Sequence, residues 1–416
     1  MARVALRFGF VLALSSLLWS SDPAADLQVQ AKHGKSVRAT YDGIPVLLLK
    51  GTHAERGRDH GFFCAREILA LIDAFVPVVK GRKGGDWDKD IVPVARRFTW
   101  PKRFEDELGG LLAGIHEALP DPKARALKSL SREISIDDLK VINSLSDLFG
   151  MGCSSFSAWG DLTEDGQVLT GRNADYATFA VPFLFCLMAV QPAEKEIKPT
   201  LSVGSYGLIA SGTVLNSEGV FVALHDEGGL PRDGGTTIIP RVLSLQAAVE
   251  AARGDHAVED VAQRLRKSPV AVGNNIHVSA PVVADRPETL PAILEWDGNS
   301  KEQGVTVRGV KAEEFKSGLA CTNHYRARAE RNAGCGRYTK LSEALRRRAS
   351  DGGKIDLAAA EQMLDSVAPN GGTMTYLSVV VFPATRRMVV ALSPKAGVAA
   401  TKGRWVPVDW DAVFRE

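Results

Sequence analysis

The sequence predicts an α+β fold, in which strands and helices occupy separate stretches of one chain. Leucines at helical spacing dominate much of the first third of the chain, and short apolar runs punctuated by glycine and asparagine follow. Further helical stretches then precede an apolar hairpin near the C-terminus. The 416 residues, 45% of them hydrophobic, suffice for one large domain or two ordinary ones.

The overall charge narrows the classes of partner. The chain has 51 Lys and Arg residues against 49 Asp and Glu residues, a net charge of +2. So small an excess predicts binding neither to nucleic acid nor to an anionic membrane. No stretch after the N-terminal segment reaches about 18 apolar residues, so we expect a soluble mature protein without a membrane partner.

Residues 1–31 are typical of an export signal. Two arginines precede Phe8–Trp19, an apolar run of twelve residues that is too short for a comfortable membrane span. The pattern favours cleavage after Ala31, with cleavage after Ala25 as the alternative. We therefore expect a periplasmic or secreted protein. A disordered tail or a retained anchor are the competing interpretations of this segment.

Between residues 32 and 152 the chain is mixed at first and then strongly helical. The apolar run Pro45–Lys50 predicts a strand. His53 and His60 lie seven residues apart without a third ligand, so we expect cap or core groups rather than a metal site. Helices are predicted at Phe62–Val76 (ending near Pro77), Arg103–Leu119 and Ser135–Phe149, the last with Ser135 and Asp138 as a capping pair.

Residues 151–176 predict a β-hairpin. An extended run of small and aromatic residues leads to Thr163–Gly166, which carries glycine where a positive φ is needed, and the chain then returns. A turn centred in the middle of that segment would place Cys153 opposite Tyr176. A slip of one residue would reverse the faces, so the pairing is approximate.

A nucleophilic cysteine is the chemistry that this hairpin suggests, because it brings Cys153, Arg172 and Asp175 together. A thiol has an ordinary pKa of about 8.5 and reacts as the thiolate. No histidine lies near Cys153 in sequence. Cutting the bond after Gly152 would create an α-amino group with a pKa of about 7.7–8.0, which can take the thiol proton. The alternative is a buried structural cysteine.

The rest of the chain predicts further strands and helices. Strands are expected at Val181–Ala189, Leu201–Val203, Ile209–Val214, Gly219–Leu224, Ile276–Ser279, Ala292–Trp296, Thr375–Phe382 and Arg387–Leu392. Helices are expected at Arg241–Ala251, Val258–Lys267, Lys340–Arg348 and Leu357–Val367.

Five cysteines in an exported chain leave at least one thiol free, and Cys153 is the candidate. Cys321 and Cys335 are either a disulfide or two reduced thiols. No cysteine and histidine spacing typical of zinc is present, so no metal is expected.

Three motifs carry a resemblance to a known family: Gly152-Cys153-Ser-Ser-Phe, Glu164-Asp165-Gly166 and Gly171-Arg172-Asn173-Ala174-Asp175. Together they resemble the N-terminal-nucleophile hydrolases. The chain is most similar to the C45 family of autoproteolytic acyltransferases and hydrolases, typified by acyl-coenzyme A:isopenicillin N acyltransferase. Bile salt hydrolase, penicillin V acylase and acid ceramidase are more distant relatives. Residues similar to the family's pro-segment are Gly51-Thr52, Glu55, Gly57, His60-Gly61, Glu107-Leu-Gly109, Gly114 and Asn143.

The resemblance covers about residues 51–394 and implies a four-layer αββα sandwich preceded by a mostly helical pro-segment. It implies self-cleavage between Gly152 and Cys153 into a small chain, residues 32–152, and a catalytic domain, residues 153–416, that stay associated. The implied activity is hydrolysis of, or acyl transfer from, a non-peptide amide through a thioester. The implied partner is a small-molecule amide or acyl donor, and neither metal nor organic cofactor is needed.

The resemblance also implies the site residues. Asn323 donates to the oxyanion, a type of contact whose loss costs roughly 3–4 kcal/mol elsewhere. Asp175 orients the new α-ammonium group, and Arg172 holds the thiolate and Asp175. Arg337 supports this network or a substrate carboxylate. Without the resemblance, the competing interpretation of Asn323 is a turn-capping residue, and that of Arg337 is a solvated side chain.

Tyr176, His225 and Asn275 are the candidate pocket residues. At His225-Asp226-Glu227 the chain departs from the bile salt hydrolases, which have a second asparagine there. A backbone N–H or His225 could supply that contact, and His225 could also shuttle a proton near neutral pH.

Two other functions compete with the amidase or acyltransferase. A papain-like peptidase would use a histidine, but tryptophan does not follow Cys153 as that class requires. An exported binding protein would keep the fold without the chemistry.

Overall fold

A computed structural model describes residues 26–81, 85–177, 185–227, 238–283, 286–297, 304–309, 316–328, 334–369 and 372–416. Most of the predicted export signal, residues 1–25, lies outside the described residues, as does the start of the run predicted at Val181–Ala189.

The helices and strands are as follows. The strands are β1 Leu27–His33, β2 Ser36–Tyr41, β3 Ile44–Gly51, β4 Ala126–Leu127, β5 Arg132–Glu133, β6 Gly152–Ala158, β7 Leu169–Ala177, β8 Phe185–Pro192, β9 Thr200–Ser205, β10 Thr213–Asn216, β11 Phe221–Glu227, β12 Gly273–Ser279, β13 Ala292–Trp296, β14 Val305–Arg308, β15 Gly318–Cys321, β16 Thr373–Phe382, β17 Arg387–Leu392 and β18 Trp405–Val408. The helices are α1 His53–Gly81, α2 Val92–Arg97, α3 Lys102–Ala118, α4 Ile136–Ile142, α5 Leu145–Leu148, α6 Arg241–Ala251, α7 Ala257–Arg266, α8 Gly336–Ser350, α9 Leu357–Ser366 and α10 Trp410–Phe414.

Two sheets form the centre of the molecule. The larger has ten strands in the order β1-β2-β3-β8-β9-β10-β11-β12-β13-β14, and the smaller has six in the order β15-β6-β7-β16-β17-β18. The described pairings are antiparallel except for β3 with β8, which are parallel. The first three strands therefore join the larger sheet through this one parallel pair, so residues before 152 are part of it.

Helices cover both outer faces, which confirms the predicted α+β sandwich. Apolar side chains of the two sheets meet in one core, helices α1 and α3 pack with β3 and β8 on the outside of the larger sheet, and α6 and α7 cover its other end. Helices α8 and α9 cover the smaller sheet. Strand β3 is packed on both faces: Val46 and Leu48 face the inter-sheet core, whereas Leu47 and Leu49 face α1. A strand buried on both faces needs such a continuous apolar run.

Helix α1 extends beyond its prediction at both ends. It begins at His53 and continues through Pro77 to Gly81, with a kink at Cys64, where φ is −125° and ψ is 19°. Proline usually ends a helix because it lacks an N–H. Here Val76 and Val79, on either side of the proline, are buried in the core, and this packing stabilises the helix beyond the proline.

The helix predicted at Ser135–Phe149 is two helices, α4 and α5. The predicted capping box of Ser135 and Asp138 is present at its start. The break follows from Asn143 and Ser144, whose side chains donate to the carbonyls of Leu139 and Lys140, because such local bonds compete with the helical pattern.

Helices α1 and α3 cross at unusually close range through glycines. A Cβ atom on Gly57 or Gly61 would overlap the backbone of α3, and one on Gly110 or Gly114 would overlap the backbone of α1. The neighbouring histidines are core groups, as predicted. His53 pairs with Glu107 on α3, while His60 Nε2 accepts from Gly207 N across 2.9 Å.

Candidate active site

Strands β6 and β7 form the predicted hairpin, with a different register. Cys153 pairs with Ala174 and Gly152 with Asp175, so the prediction that Cys153 lies opposite Tyr176 is wrong by two residues. The cause is the connection, which contains a 3₁₀ turn at Gly160–Leu162 and is longer than a four-residue turn. A shift of two residues preserves the faces of a strand, so the grouping of side chains survives.

The Cys153 side chain lies between the two sheets and has no exposed surface. Arg172 Nη2 donates to Cys153 Sγ across 3.6 Å and to the carbonyl of Leu224 across 2.7 Å. Arg172, which is 1% exposed, is thus fixed between β6 and β11 of the larger sheet. The predicted contact of Arg172 with the thiol is present.

The backbone of Cys153 is held by two more predicted residues. Its N–H donates to Asn323 Oδ1 across 2.9 Å, and its carbonyl accepts from Arg337 Nη1 across 2.8 Å. Arg337 also donates to Asn323 Oδ1 across 2.8 Å and to Asp175 Oδ2 across 3.0 Å. The second oxygen of Asp175 accepts from Thr375 Oγ1 across 2.7 Å. Arg337 therefore binds the carboxylate, a role that the sequence had assigned to Arg172.

The amide of Asn323 is fully engaged in the uncut chain. Its Nδ2 donates to the carbonyl of Met151 across 3.1 Å and to the carbonyl of Asp226 across 2.6 Å. The Asp226 carboxylate in turn accepts from the Met151 N–H and forms an ion pair with Arg241. Asn323 Nδ2 can therefore donate to another group only when the carbonyl of Met151 or of Asp226 moves away.

Burial dominates the electrostatics of the site. It raises the pKa of the Cys153 thiol, an effect that Arg172 opposes. The thiol of the uncut chain is therefore protonated near neutral pH and needs a base. Burial also raises the pKa of Asp175 to about 6, opposed by the Thr375 hydrogen bond and by Arg337. Asp175 thus titrates near pH 6.

Of the three predicted pocket residues, only Tyr176 lines the cavity described below. His225 and Asn275 pair across β11 and β12, and each is at most 1% exposed. Burial, with Arg172 and His277, lowers the pKa of His225 far below its ordinary range, so this imidazole is neutral near pH 7. The suggested proton shuttle is therefore not supported, because a group that stays neutral cannot cycle its charge there.

Another buried histidine, His277, bonds to β6, the strand that carries Cys153. Its ring nitrogens bond to Ser155 Oγ and Ser157 Oγ across 2.7 Å each. Burial lowers the pKa of His277 to about 3, so the ring is a neutral bridge between β12 and β6. Sequence reasoning missed this residue, as it missed Thr375, Asp226 and Arg241, since nothing local marks a contact made across two sheets.

An apolar cavity adjoins the site. It encloses about 1040 Å³ of empty space, part of it open to solvent, and its lining includes the charged side chains of Arg172 and Asp175. Its apolar lining comes from both sides of Cys153 in sequence: Leu71, Phe75, Ile142, Leu145, Leu208 and Val242. Residues before the predicted cleavage point therefore build much of the cavity wall.

The other cysteines are free thiols. Burial raises the pKa of Cys321 to about 12, whereas Cys335, the N-cap of α8, is only partly buried and has a lowered pKa. Of the two alternatives for Cys321 and Cys335, the structure has reduced thiols. Within the described residues, no three His, Cys, Asp or Glu side chains are grouped to hold a metal ion. No helix in the described part of the chain has both the length and the apolar character to cross a membrane.

Comparison with protein-family models found no match, and neither did comparison with curated proteins. Among solved structures, the chain is similar to the Caenorhabditis elegans ortholog of N-acylethanolamine-hydrolyzing acid amidase, with 15% identity, a TM-score of 0.43, and coverage of 61% of this chain and 99% of that one. A mutant conjugated bile acid hydrolase from Clostridium perfringens has 12% identity, a TM-score of 0.41 and coverage of 62% and 92%. Penicillin V acylase from Agrobacterium tumefaciens has 15% identity, a TM-score of 0.41 and coverage of 64% and 89%. Likenesses this distant decide nothing about chemistry, which is argued from the side chains.

Proposed function

We propose that this protein is a self-processing N-terminal-cysteine amidohydrolase or acyltransferase of the N-terminal-nucleophile class. One observation carries the proposal. Cys153 opens a strand, and its thiol, N–H and carbonyl are contacted by Arg172, Asn323 and Arg337 respectively. A structural cysteine needs no such set of polar partners, because its burial alone would stabilise it.

Self-cleavage is the first reaction. The Cys153 thiol attacks the Gly152 carbonyl, the C–N bond breaks, and the thiol proton passes to the departing nitrogen, which becomes the α-amino group. Water then hydrolyses the thioester and leaves a carboxylate on Gly152. Cleavage thus creates the α-amino group of Cys153, which is the base that the buried, protonated thiol lacks.

Turnover follows from the same groups. The α-amino group of Cys153 takes the thiol proton, and the thiolate attacks a substrate amide to form an acyl-enzyme and release an amine. Asn323 Nδ2, which donates to Met151 in the uncut chain, is free to donate to the oxyanion once Met151 has moved. Asp175 lies opposite Gly152, beside the position of the new α-ammonium. Water completes hydrolysis, and an amine acceptor completes acyl transfer.

The cavity supports an apolar acyl group as the substrate class. Its lining is mostly apolar, apart from Arg172, Asp175 and a few Asn, Ser and Thr side chains, so an alkyl or aryl chain would bury its surface there, at about 25 cal/mol per Å². Because Leu71 and Phe75 belong to the proposed small chain, that chain must stay associated for the cavity to exist.

Export is part of the proposal. Strand β1 begins at Leu27, so cleavage after Ala31 would remove most of a strand that pairs with β2. Cleavage after Ala25 would leave β1 whole, and we therefore favour that site in a periplasmic or secreted protein.

A histidine-dependent cysteine peptidase fits the site less well. A peptidase of this class would need a histidine as its base. The positive charge of Arg172 acts on His225, but the Nδ1 of His225 contacts the carbonyl of Ala223, and its low pKa keeps the ring neutral.

Intact-mass measurement of purified protein tests the proposal. We expect two fragments, the larger beginning Cys-Ser-Ser-Phe on N-terminal sequencing, and a full-length chain for Cys153→Ala. Cys153→Ser should cleave slowly and turn over amides far less than wild type, because a hydroxyl ionises less readily. A wild-type protein that remains one chain after prolonged incubation would contradict self-processing.

A further inference from the structure

We propose that Asp226, fixed by Arg241, is a positioning residue for self-cleavage: it holds the Met151 N–H so that the Gly152 carbonyl faces the Cys153 thiol. This inference rests on the proposed function. It assigns a role to a carboxylate that neither the sequence motifs nor the chemistry of turnover requires.

The contacts flank the scissile bond on both sides. Met151 is held at its N–H by the Asp226 carboxylate and at its carbonyl by Asn323 Nδ2, 3.1 Å away. Cys153 is held at its N–H by Asn323 and at its carbonyl by Arg337. Gly152 thus lies between two residues whose backbone groups are anchored. Fixing both flanks removes the motion that would otherwise separate a thiol from a carbonyl.

Arg241 offsets part of the cost of burying the Asp226 carboxylate. Asp226 is 8% exposed, and burial raises its pKa, opposed first by Arg241. Arg241 has no exposed surface, and its Nη1 donates to Asn274 Oδ1 across 2.5 Å. A buried ion pair is weak evidence of stability, because apolar side chains of similar size often stabilise as well. The Asp226–Arg241 pair contacts Met151 beside the scissile bond, and we therefore assign it the role of holding that residue.

Arg241 also anchors the helix that leads into the segment. It donates to the carbonyl of Ser146, and its own N–H donates to the Asp147 carboxylate at 3.2 and 3.3 Å. Both residues belong to α5, which ends at Leu148, and only three residues separate it from the start of β6 at Gly152. One arginine therefore restrains the segment through α5 and, by way of Asp226, through Met151.

The test compares rates of self-cleavage in full-length chains refolded from denaturant. Asp226→Asn offers one acceptor oxygen to two donors, so either Met151 or Arg241 must face an NH2 group. A charged acceptor holds an N–H more strongly than a neutral amide oxygen does, so we expect cleavage at least tenfold slower. Met151→Pro removes the N–H and leaves Asp226 intact, and it should slow cleavage similarly. Met151→Leu loses the methionine side chain but keeps the N–H, so it is the matched control and should cleave at least tenfold faster than Met151→Pro.

The double variant Asp226→Asn/Met151→Pro separates positioning from general damage. If Asp226 acts through the Met151 N–H, the double variant cleaves no more slowly than the slower single variant. Multiplied effects, or an Asp226→Asn rate equal to wild type, overturn the inference while the proposed function stands. If Asp226→Asn fails to fold, a Met151→Pro rate equal to that of Met151→Leu overturns it. A wild-type chain that never cleaves overturns both proposals.

Discussion

Arg337 Nη1 donates to Asp175 Oδ2 across 3.0 Å, and the same nitrogen donates to the carbonyl of Cys153 across 2.8 Å. These residues come from α8, β7 and β6, so one guanidinium joins three elements at the nucleophile. Asp175 is almost fully buried whereas 27% of the Arg337 side chain is exposed. The arginine is therefore both the counter-charge of a buried carboxylate and part of the outer wall of the site.

Replacing Arg337 should affect maturation strongly. Arg337→Met removes the counter-charge of Asp175 and the donor to Cys153, and we expect self-cleavage at least tenfold slower by gel and mass measurement. Arg337→Lys should recover part of the rate only, because an ammonium cannot reproduce the three contacts of a planar fork. Arg347→Met changes an exposed arginine of the same helix and should mature like wild type. Equal rates for the Arg337 and Arg347 variants would remove Arg337 from the site.

The rate of self-cleavage should fall as the pH is lowered through about 6. Burial raises the pKa of Asp175 to about 6, so the proton it gains below that pH neutralises the partner of Arg337. Unfolding caused by protonation of Asp175 cannot explain this decrease in the rate of cleavage. A carboxyl whose pKa is raised above its unfolded value of about 3.9 contributes most to stability below that value, and its contribution declines as pH rises to about 6. Parallel measurements of cleavage and urea unfolding from pH 4.5 to 8 should show these opposite trends near pH 6, and a cleavage rate independent of pH would refute the role of Asp175.

Gly152 should tolerate no side chain at the wild-type rate of cleavage. A Cβ atom there would lie 3.2 Å from Asp175 Cβ and 3.5 Å from its Oδ2, so the carboxylate or the scissile residue must shift. We expect Gly152→Ala to slow maturation severalfold. Gly150→Ala is the matched control, because its Cβ would meet only Asp226 Oδ2, at 3.7 Å. Time courses of the full-length band would show whether the two alanines differ; indistinguishable rates would contradict the tight fit.

Cys335 should be the first thiol to react with iodoacetamide in the uncut protein. It is partly exposed with a lowered pKa, whereas burial raises the pKa values of Cys64, Cys153 and Cys186. Peptide mapping after brief labelling of Cys153→Ala checks this order. Cys335→Ser should mature normally, so it is the background in which alkylation of Cys153 is best tested against activity. First labelling at Cys64 or Cys186 would contradict this order of reactivity.

The elements with strong local signals were predictable from sequence. Arg241–Ala251 and Arg387–Leu392 have the bounds expected, because apolar spacing and flanking turn residues delimit them. Strand β1 was not predicted, since its side chains are mostly exposed or half-buried and carry little apolar pattern. The fold class was correct as α+β, and the layers are visible in how the apolar clusters pack.

The site was predictable only in part. Cys153 of β6 and Arg172 of β7 lie on the same face of the hairpin, and local hairpin pairing was enough to bring them together. Asp226 and Arg241 join the same site through contacts with Met151 and α5, which depend on how the larger sheet packs against the smaller. No local pattern encodes such packing. Asp175 lies opposite Gly152, next to Cys153, and its guanidinium partner is Arg337 of α8, whereas the resemblance implies Arg172.

The parallel pairing of β3 with β8 has a consequence for the reversibility of folding. An uncut chain folds as one molecule, so its recovery from denaturant is independent of concentration. A chain severed before Cys153 would place β3 and β8 on different polypeptides, which share one sheet. Its refolding would then be a second-order encounter, slower on dilution, and its midpoint of denaturation would depend on protein concentration. Self-cleavage would thus commit the protein to the assembly made in its first folding, with its lifetime set by the rate of unfolding.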